Sequence, residues 1–236
     1  MYYSFCLFVL IFFGYSFIGY MVEILSISRR THTINFSRGY LIGPYLPIFG
    51  MGGIFITSLL NHYRNDIIVL FIMSLTICCL LEYFTSLIME KIFKLRWWDY
   101  SDRLLNINGR ICLENGIMFG IGGVILVRYF HPAFIALLTS FSPRFTCVLG
   151  TVLFVIMFSD LVLSTYTILQ LKIDLNIYTD KDSTMRIRRD VLESIRKYRF
   201  FHNRLYKAFP NITENKNVSK FQSTAERVKK RFQKKK

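Results

Sequence analysis

IIVLFIMSLTICCLLEYFTSLIME, residues 67–90, is a 24-residue apolar run interrupted by only two charges, Glu82 and Glu90. An α-helix needs roughly 20 such residues to cross about 30 Å of hydrocarbon, so this stretch predicts a membrane span. Four further windows, 3–28, 39–61, 111–130 and 146–171, reach the same length. Hydrophobic residues make up 53% of the chain, and its 23 Phe and 14 Tyr lie mostly inside the five windows. Little material is left for a separate soluble core. The expectation is an all-α, polytopic bundle of five transmembrane helices over residues 1–171. A basic segment, 172–236, follows it.

The opening Met1-Tyr2-Tyr3-Ser4 has no basic region, and no small-residue cleavage site follows the first apolar run. A cleaved signal peptide is therefore not expected, and the run should persist as a helix. Orientation is read from Lys and Arg, which concentrate in short cytoplasmic loops. The first connector holds Arg29, Arg30 and Arg38; the third holds Lys91, Lys94, Arg96, Arg103 and Arg110. The second has Arg64 beside Asp66, and the fourth has Arg128 and Arg144. This places the N-terminus outside and the segment after the fifth window in the cytoplasm. From Lys172 onward there are 19 Lys or Arg against 7 Asp or Glu, so most of the formal +15 charge lies there. Val191, Ile195, Tyr198, His202, Leu205 and Phe209 mark one side of an amphipathic helix expected near 184–209. Its basic face suits anionic lipid head groups or a partner. Nucleic acid is disfavoured as a partner because no stacking motif accompanies the charge.

Cys6, Cys78, Cys79, Cys112 and Cys147 sit in or beside apolar runs, form no CxxC pair and read as small buried hydrophobes. A Cys6–Cys147 disulfide is conceivable but has nothing in the sequence to support it. The four histidines show no ligand spacing, so neither a metal nor a cofactor is expected.

Ionisable groups inside spans are more informative, because placing one at the bilayer centre costs at least about 2.5–3.5 kcal/mol. At about 1.5 Å rise per residue, Glu114 lies roughly 6 Å and Glu23 roughly 9 Å from the nearest basic edge residue. Glu82 lies about 13 Å and Asp160 about 18 Å in, close to the midplane. Both should face the bundle interior or a wet cavity. They line either a polar pathway or a structural helix contact, and the residues alone leave both open. Glu82, Ser86 and Glu90, spaced by four, extend one polar face. Glu23 and Glu114 read as pathway groups or as partners of Arg38 or Arg110.

The second window begins RGYLIGPYLPIFG, in which Pro44 and Pro47 remove backbone donors and Gly39, Gly43 and Gly50 loosen the chain. A straight helix is doubtful here, and a broken one needs protein or water to satisfy its freed groups. Gly39 with Gly43, and Gly116 with Gly120, form GxxxG steps that predict close helix packing. The connector EKIFKLRWWDYSDRLLNINGRICLE, residues 90–114, is the best candidate site. Trp97, Trp98 and Tyr100 suit the headgroup level, while Asp99, Asp102, Asn106, Asn108 and Arg110 form a polar loop with a turn at Asn108-Gly109.

RGYLIGPYLPIFG, LEYFTSLIMEKIF, RWWDYSD and NINGRICL, in that order, resemble the bacterial ABC transporter permease family of CmpB type. The resemblance runs from about Gly14 to Asp160, and RLYKAFP at 204–210 is similar to tails of that family. Ser37 stands where an Asn commonly precedes Arg-Gly, and Leu46 and Phe49 stand where Cys and Tyr are common. The resemblance implies shared roles for Glu23, Arg38, Gly39, Gly43, Pro44, Pro47, Gly50, Glu82, Tyr83, Glu90, Trp97, Trp98, Asp99, Tyr100, Asn106, Asn108, Gly109 and Arg110.

No GxxxxGK[ST] loop occurs, so a permease of this kind would take its ATP hydrolysis from a separate ATPase subunit. Five helices are few for a complete path, which predicts a homodimer. Two classes of function are carried forward. One is a permease-like subunit with a polar cavity open to the cytoplasm, lined by Glu23, Arg38, Glu82, Glu90, Glu114 and Asp160, in a bacterial plasma membrane. The other is a non-transporting regulator or scaffold, or an enzyme acting on lipid head groups through the 90–114 connector. No catalytic dyad is visible, so the chain is not read as an enzyme.

Overall fold

In a computed structural model, residues 1–31, 39, 41–93 and 97–177 are described; Arg38, the expected helix near 184–209 and the 204–210 motif lie outside them. The described chain forms α1 (Tyr2–Thr31), α2 (Pro47–Leu60), a short 3-10 turn (Asn61–Tyr63), α3 (Ile67–Phe93) and α4 (Leu113–Ile125). A π turn (Leu126–Phe130), α5 (His131–Ser140) and α6 (Pro143–Ile177) complete it. Apart from one isolated bridge between Ile107 and Ile111, the regular structure among the described residues is helical.

Four helical stretches are long and apolar enough to cross a membrane: Tyr2–Ser26, Ile67–Phe93, Leu113–Ser140 and Pro143–Leu169. The second apolar window is not among them. Its helix covers only the 14 residues of α2, about 21 Å of rise, while Leu41–Leu46 is non-helical. Pro44 and Pro47 lack amide hydrogens and push the residues before them toward extended geometry; Leu46 accordingly has φ −117° and ψ 103°. Pro47 then starts α2, where its fixed φ suits the first turn. Gly39, at φ +85°, lies in the left-handed region, so the Gly39–Gly43 step is a turn device and not the helix-packing step its spacing predicted.

The fourth window is longer than its 111–130 reading because the π turn carries the helix through to Ser140. Pro132 has no N–H for the carbonyl of Arg128 four residues back, and that carbonyl instead accepts the Arg64 guanidinium at 3.0 Å.

The bundle has an apolar exterior, and polar groups lie inside it among apolar core residues. Ser16, Thr57, Ser74, Glu82, Ser86, Thr146, Asp160, Ser164 and Thr167 are buried, while Phe84, Ile88, Phe154 and Phe158 are exposed. In hydrocarbon such an exterior costs nothing, so helix association rests on close packing and interior hydrogen bonds. Glycines supply that closeness. A Cβ on Gly116 would meet Cys79 of α3 at 3.2 Å, and one on Gly120 would meet Phe71 at 2.6 Å, which bears out the packing expected of that pair. Gly53 of α2 sits against Tyr15 of α1, and Gly50 against Ser16 and Phe12. The most extensive helix pairings are α3 with α4, α1 with α2 and α1 with α6.

Gly150 brings α6 close to the backbone of α1: a Cβ there would stand 2.8 Å from the Cys6 carbonyl oxygen. Gly150→Val should destabilise the protein by about 1–3 kcal/mol, whereas Gly122→Val, with nothing within 4 Å, should leave stability unchanged. Thermal unfolding of the two variants in one detergent checks the difference.

Candidate functional site

Two polar constellations occupy the bundle, and each uses one of the two deeply placed carboxylates. Asp160, in the middle of α6, receives four donors. The Ile42 and Gly43 amides reach its two oxygens at 2.9 and 2.7 Å, the Tyr45 hydroxyl at 2.6 Å and the Ser164 hydroxyl at 2.9 Å. Further along the broken segment, Leu46 N donates to the Ser16 carbonyl of α1 at 3.0 Å. Non-helical backbone in hydrocarbon must have its freed N–H groups satisfied. Here α6 supplies a carboxylate and α1 a carbonyl for that purpose. Tyr45 is also packed against Phe13, with ring centroids 5.7 Å apart.

The second constellation is built by the 97–112 loop folding onto the end of α3. Asn106 organises the turn: its amide nitrogen donates to the Ser101 and Arg103 carbonyls at 3.0 and 2.9 Å, and its oxygen accepts the Gly109 amide at 3.1 Å. Asp99 accepts the Ser101 amide at 3.0 Å, and the Tyr100 amide donates to the Gly109 carbonyl at 2.8 Å. Asn108 and Gly109 both adopt left-handed backbone, φ 52° and 62°, which Asn and Gly tolerate better than other residues. Trp97 is buried edge-on against Phe93 at 5.7 Å, and the Trp98 indole N–H donates to the Arg110 carbonyl at 3.0 Å. Both tryptophans thus anchor the loop to the protein.

This fold delivers Arg110 and Tyr100 to the α3 stripe. Arg110 forms an ion pair with Glu90 at 2.8 Å, donates to Ser86 at 3.0 Å and lies over the Tyr83 ring at 5.9 Å. Asn108 donates to the Tyr83 hydroxyl at 3.1 Å. Glu114 pairs with Arg103 at 3.3 Å, in place of the Arg110 partner its sequence position suggested. One turn deeper, the Tyr100 hydroxyl donates to Glu82 Oε1 at 3.2 Å. Burial, reinforced by the Glu82 carboxylate, pushes the Tyr100 phenol far above its ordinary range, so it remains a donor. Asn115 of α4 stands within hydrogen-bonding reach of both Glu82 and Tyr100, and Glu23 of α1 is close enough to act electrostatically on both. Glu82 is only 7% exposed, and its second oxygen, Oε2, has no hydrogen-bond partner among the described residues.

The structure therefore brings together Glu82, Glu90, Tyr100, Asn108 and Arg110, places Glu23 nearby, and puts Asp160 with the Gly43 and Tyr45 region in a different contact. Sequence reading did not single out Ser16, Tyr45, Asn115 or Ser164 as partners. Nor did it find the short hydrogen bond between Tyr15 of α1 and His131 of α5. Asn115 directly follows Glu114 and was the most accessible of these signals.

An apolar exterior over four span-length helices and a polar, hydrogen-bonded interior define a multi-pass helical membrane protein. The chain belongs to the family described as "Putative ABC-transporter type IV", whose family model matches residues 10–165 and so takes in both constellations. No curated protein and no solved structure matches the chain.

Removing the Asp160 carboxylate strands two amides and a phenol, and a buried donor without an acceptor costs about 1–3 kcal/mol. Asp160→Ala should lower stability by at least about 2 kcal/mol and speed amide exchange at Ile42 and Gly43. Hydrogen–deuterium exchange by mass spectrometry reads this directly; unchanged protection of residues 41–46 would show that the segment is held by other contacts.

Proposed function

We propose that this protein is the membrane-spanning subunit of an ABC-type transporter, with a polar route entered at the end of the bundle where α1, α3, α4 and the 97–112 loop meet. The observation that carries this reading is Glu82, a carboxylate held more than nine-tenths buried among apolar spans. Its neighbours Tyr100 and Asn115 are polar and neutral. Maintaining an ionisable group there is costly, and such groups face substrate or ion paths far more often than lipid. Asp160 is assigned the other role weighed for it, as the clamp that holds the broken segment in place.

On this reading the second apolar run makes a fifth crossing as a composite, its first half extended along α1 and its second half helical. The N-terminus lies outside, and the 97–112 loop and the basic segment from 172 onward lie in the cytoplasm of a bacterial cell, the latter against anionic lipid. The chain itself performs no catalysis. Arg110, which a lipid head-group enzyme would use to hold phosphate, is already engaged by Glu90 and Ser86. ATP hydrolysis comes from a separate subunit that docks on the cytoplasmic face, and two copies of the chain complete the path.

Affinity purification of the full chain from its own membranes after mild crosslinking should recover an ATP-binding subunit bearing a GxxxxGK[ST] loop. Recovery of intact protein with no such subunit would refute the ABC assembly.

A further inference from the structure

Cys6 of α1 and Cys147 of α6 stand at matching depth, each four residues after the first residue of its helix and so about 6 Å of rise inside it. Their thiols are within hydrogen-bonding reach of each other. A disulfide needs Cα atoms roughly 4.4–6.8 Å apart, which two helices reach only in close contact. Gly150, three residues after Cys147, supplies that contact. A Cβ on Gly150 would stand 2.9 Å from the Cys6 Cβ and 3.0 Å from its Cα. Thr151 fixes the direction of the Cys6 side chain. Its hydroxyl donates to the Cys147 carbonyl at 2.7 Å, so its oxygen is left to accept from the Cys6 thiol at 3.9 Å and from the Tyr2 hydroxyl at 2.6 Å. The two sulfurs also differ in exposure: Cys6 is fully buried, whereas Cys147 is partly open.

We propose that Cys6 and Cys147 form a modification site, oxidised on the outer side of the membrane to a disulfide that ties the first span to the last. The oxidant is the disulfide of an extracytoplasmic thiol oxidoreductase. The Cys147 thiolate, the one that a partner can reach, attacks that disulfide, forming a mixed disulfide and expelling one of the oxidant's sulfurs as a thiolate. The Cys6 thiolate then attacks the Cys147 sulfur, which closes the Cys6–Cys147 bond and releases the second oxidant sulfur. Two protons leave the thiols of the chain and end on those of the oxidant, which has taken two electrons. An accessible attacking thiol with a buried one beside it suits this order of events. Disulfides persist outside the cytoplasm, so the proposal rests on the outside placement of the N-terminus.

The test takes the full chain from cells grown in air and quenched in acid, so that thiols keep their native state, and alkylates it in denaturant with N-ethylmaleimide. Mass spectrometry of the digest should find the Cys6 and Cys147 peptides joined and unalkylated, with Cys78, Cys79 and Cys112 alkylated. Reduction should release both peptides together. In Cys147→Ser the Cys6 peptide should be alkylated, and a reducing agent should lower the unfolding temperature of the native chain but not of this variant. Alkylation of both Cys6 and Cys147 in the native chain would overturn the proposal. Treating membranes with diamide then separates the two ways of failing. Joining only with diamide means that the pair meets but faces a reducing compartment, which contradicts the outside N-terminus; no joining even then means that the thiols do not meet. Neither result bears on recovery of an ATPase subunit, so the transport assignment is tested separately.

Discussion

The interaction on which the rest of the structure depends is the Asp160 carboxylate gripping the backbone of residues 42 and 43. The second apolar run cannot be helical through Pro44 and Pro47, yet its amides lie among hydrocarbon-exposed helices. A charge-assisted acceptor is the strongest neutraliser of two adjacent N–H groups that a side chain can offer. Placing it on α6 makes the break a joint between the first and last spans. Leu46 N on the Ser16 carbonyl fixes the other end of the break, and Pro47 launches α2 from that point. The orientation of α2 along α1, and through it the contact of α2 with α3, follows from this seam.

The 97–112 loop is the second device, and it works by a different logic. Asn106 and the left-handed pair Asn108-Gly109 make a turn that holds its shape with its own hydrogen bonds. The turn then presents Arg110 to Ser86 and Glu90, and Tyr100 to Glu82. Glu90 and Ser86 receive a guanidinium, and Glu82, one turn deeper, has the neutral groups Tyr100 and Asn115 beside it. The α3 stripe is thus graded from a compensated, half-exposed end to an uncompensated, buried one.

Much of this was legible in the sequence because membrane spans leave a strong signal. The apolar runs gave α1, α3, α4 and α6 their places, though not α5, and the spacing of Glu82, Ser86 and Glu90 announced a polar face. Asn108-Gly109 marked the turn. Less legible were features set by pairing across the bundle. Pro44 and Pro47 cast doubt on a straight helix, but nothing local says that Asp160, 117 residues after Gly43, accepts its amide. The fourth window was read only to 130, and the π turn that carries the helix on past Pro132 is accompanied by Arg64, from another element, donating to the Arg128 carbonyl. Depth counting gave Asp160 and Glu82 the same standing, and only their partners separate the four-donor clamp at Asp160 from Glu82 beside Tyr100. The pairing of Glu114 with Arg103, and of Arg110 with Glu90, likewise depends on how the loop folds back.

The central claim is that the two buried carboxylates have different roles, Asp160 holding the broken segment and Glu82 facing the proposed polar route. A cryo-EM map of the full chain in lipid nanodiscs, at a resolution that shows ordered waters, tests it most directly. The account predicts Asp160 in unbroken contact with Ile42, Gly43 and Tyr45, with no water between them, and ordered water reaching the Glu82 carboxylate. A hydrated space around Asp160, with Glu82 closed off against a neighbouring helix, would contradict it.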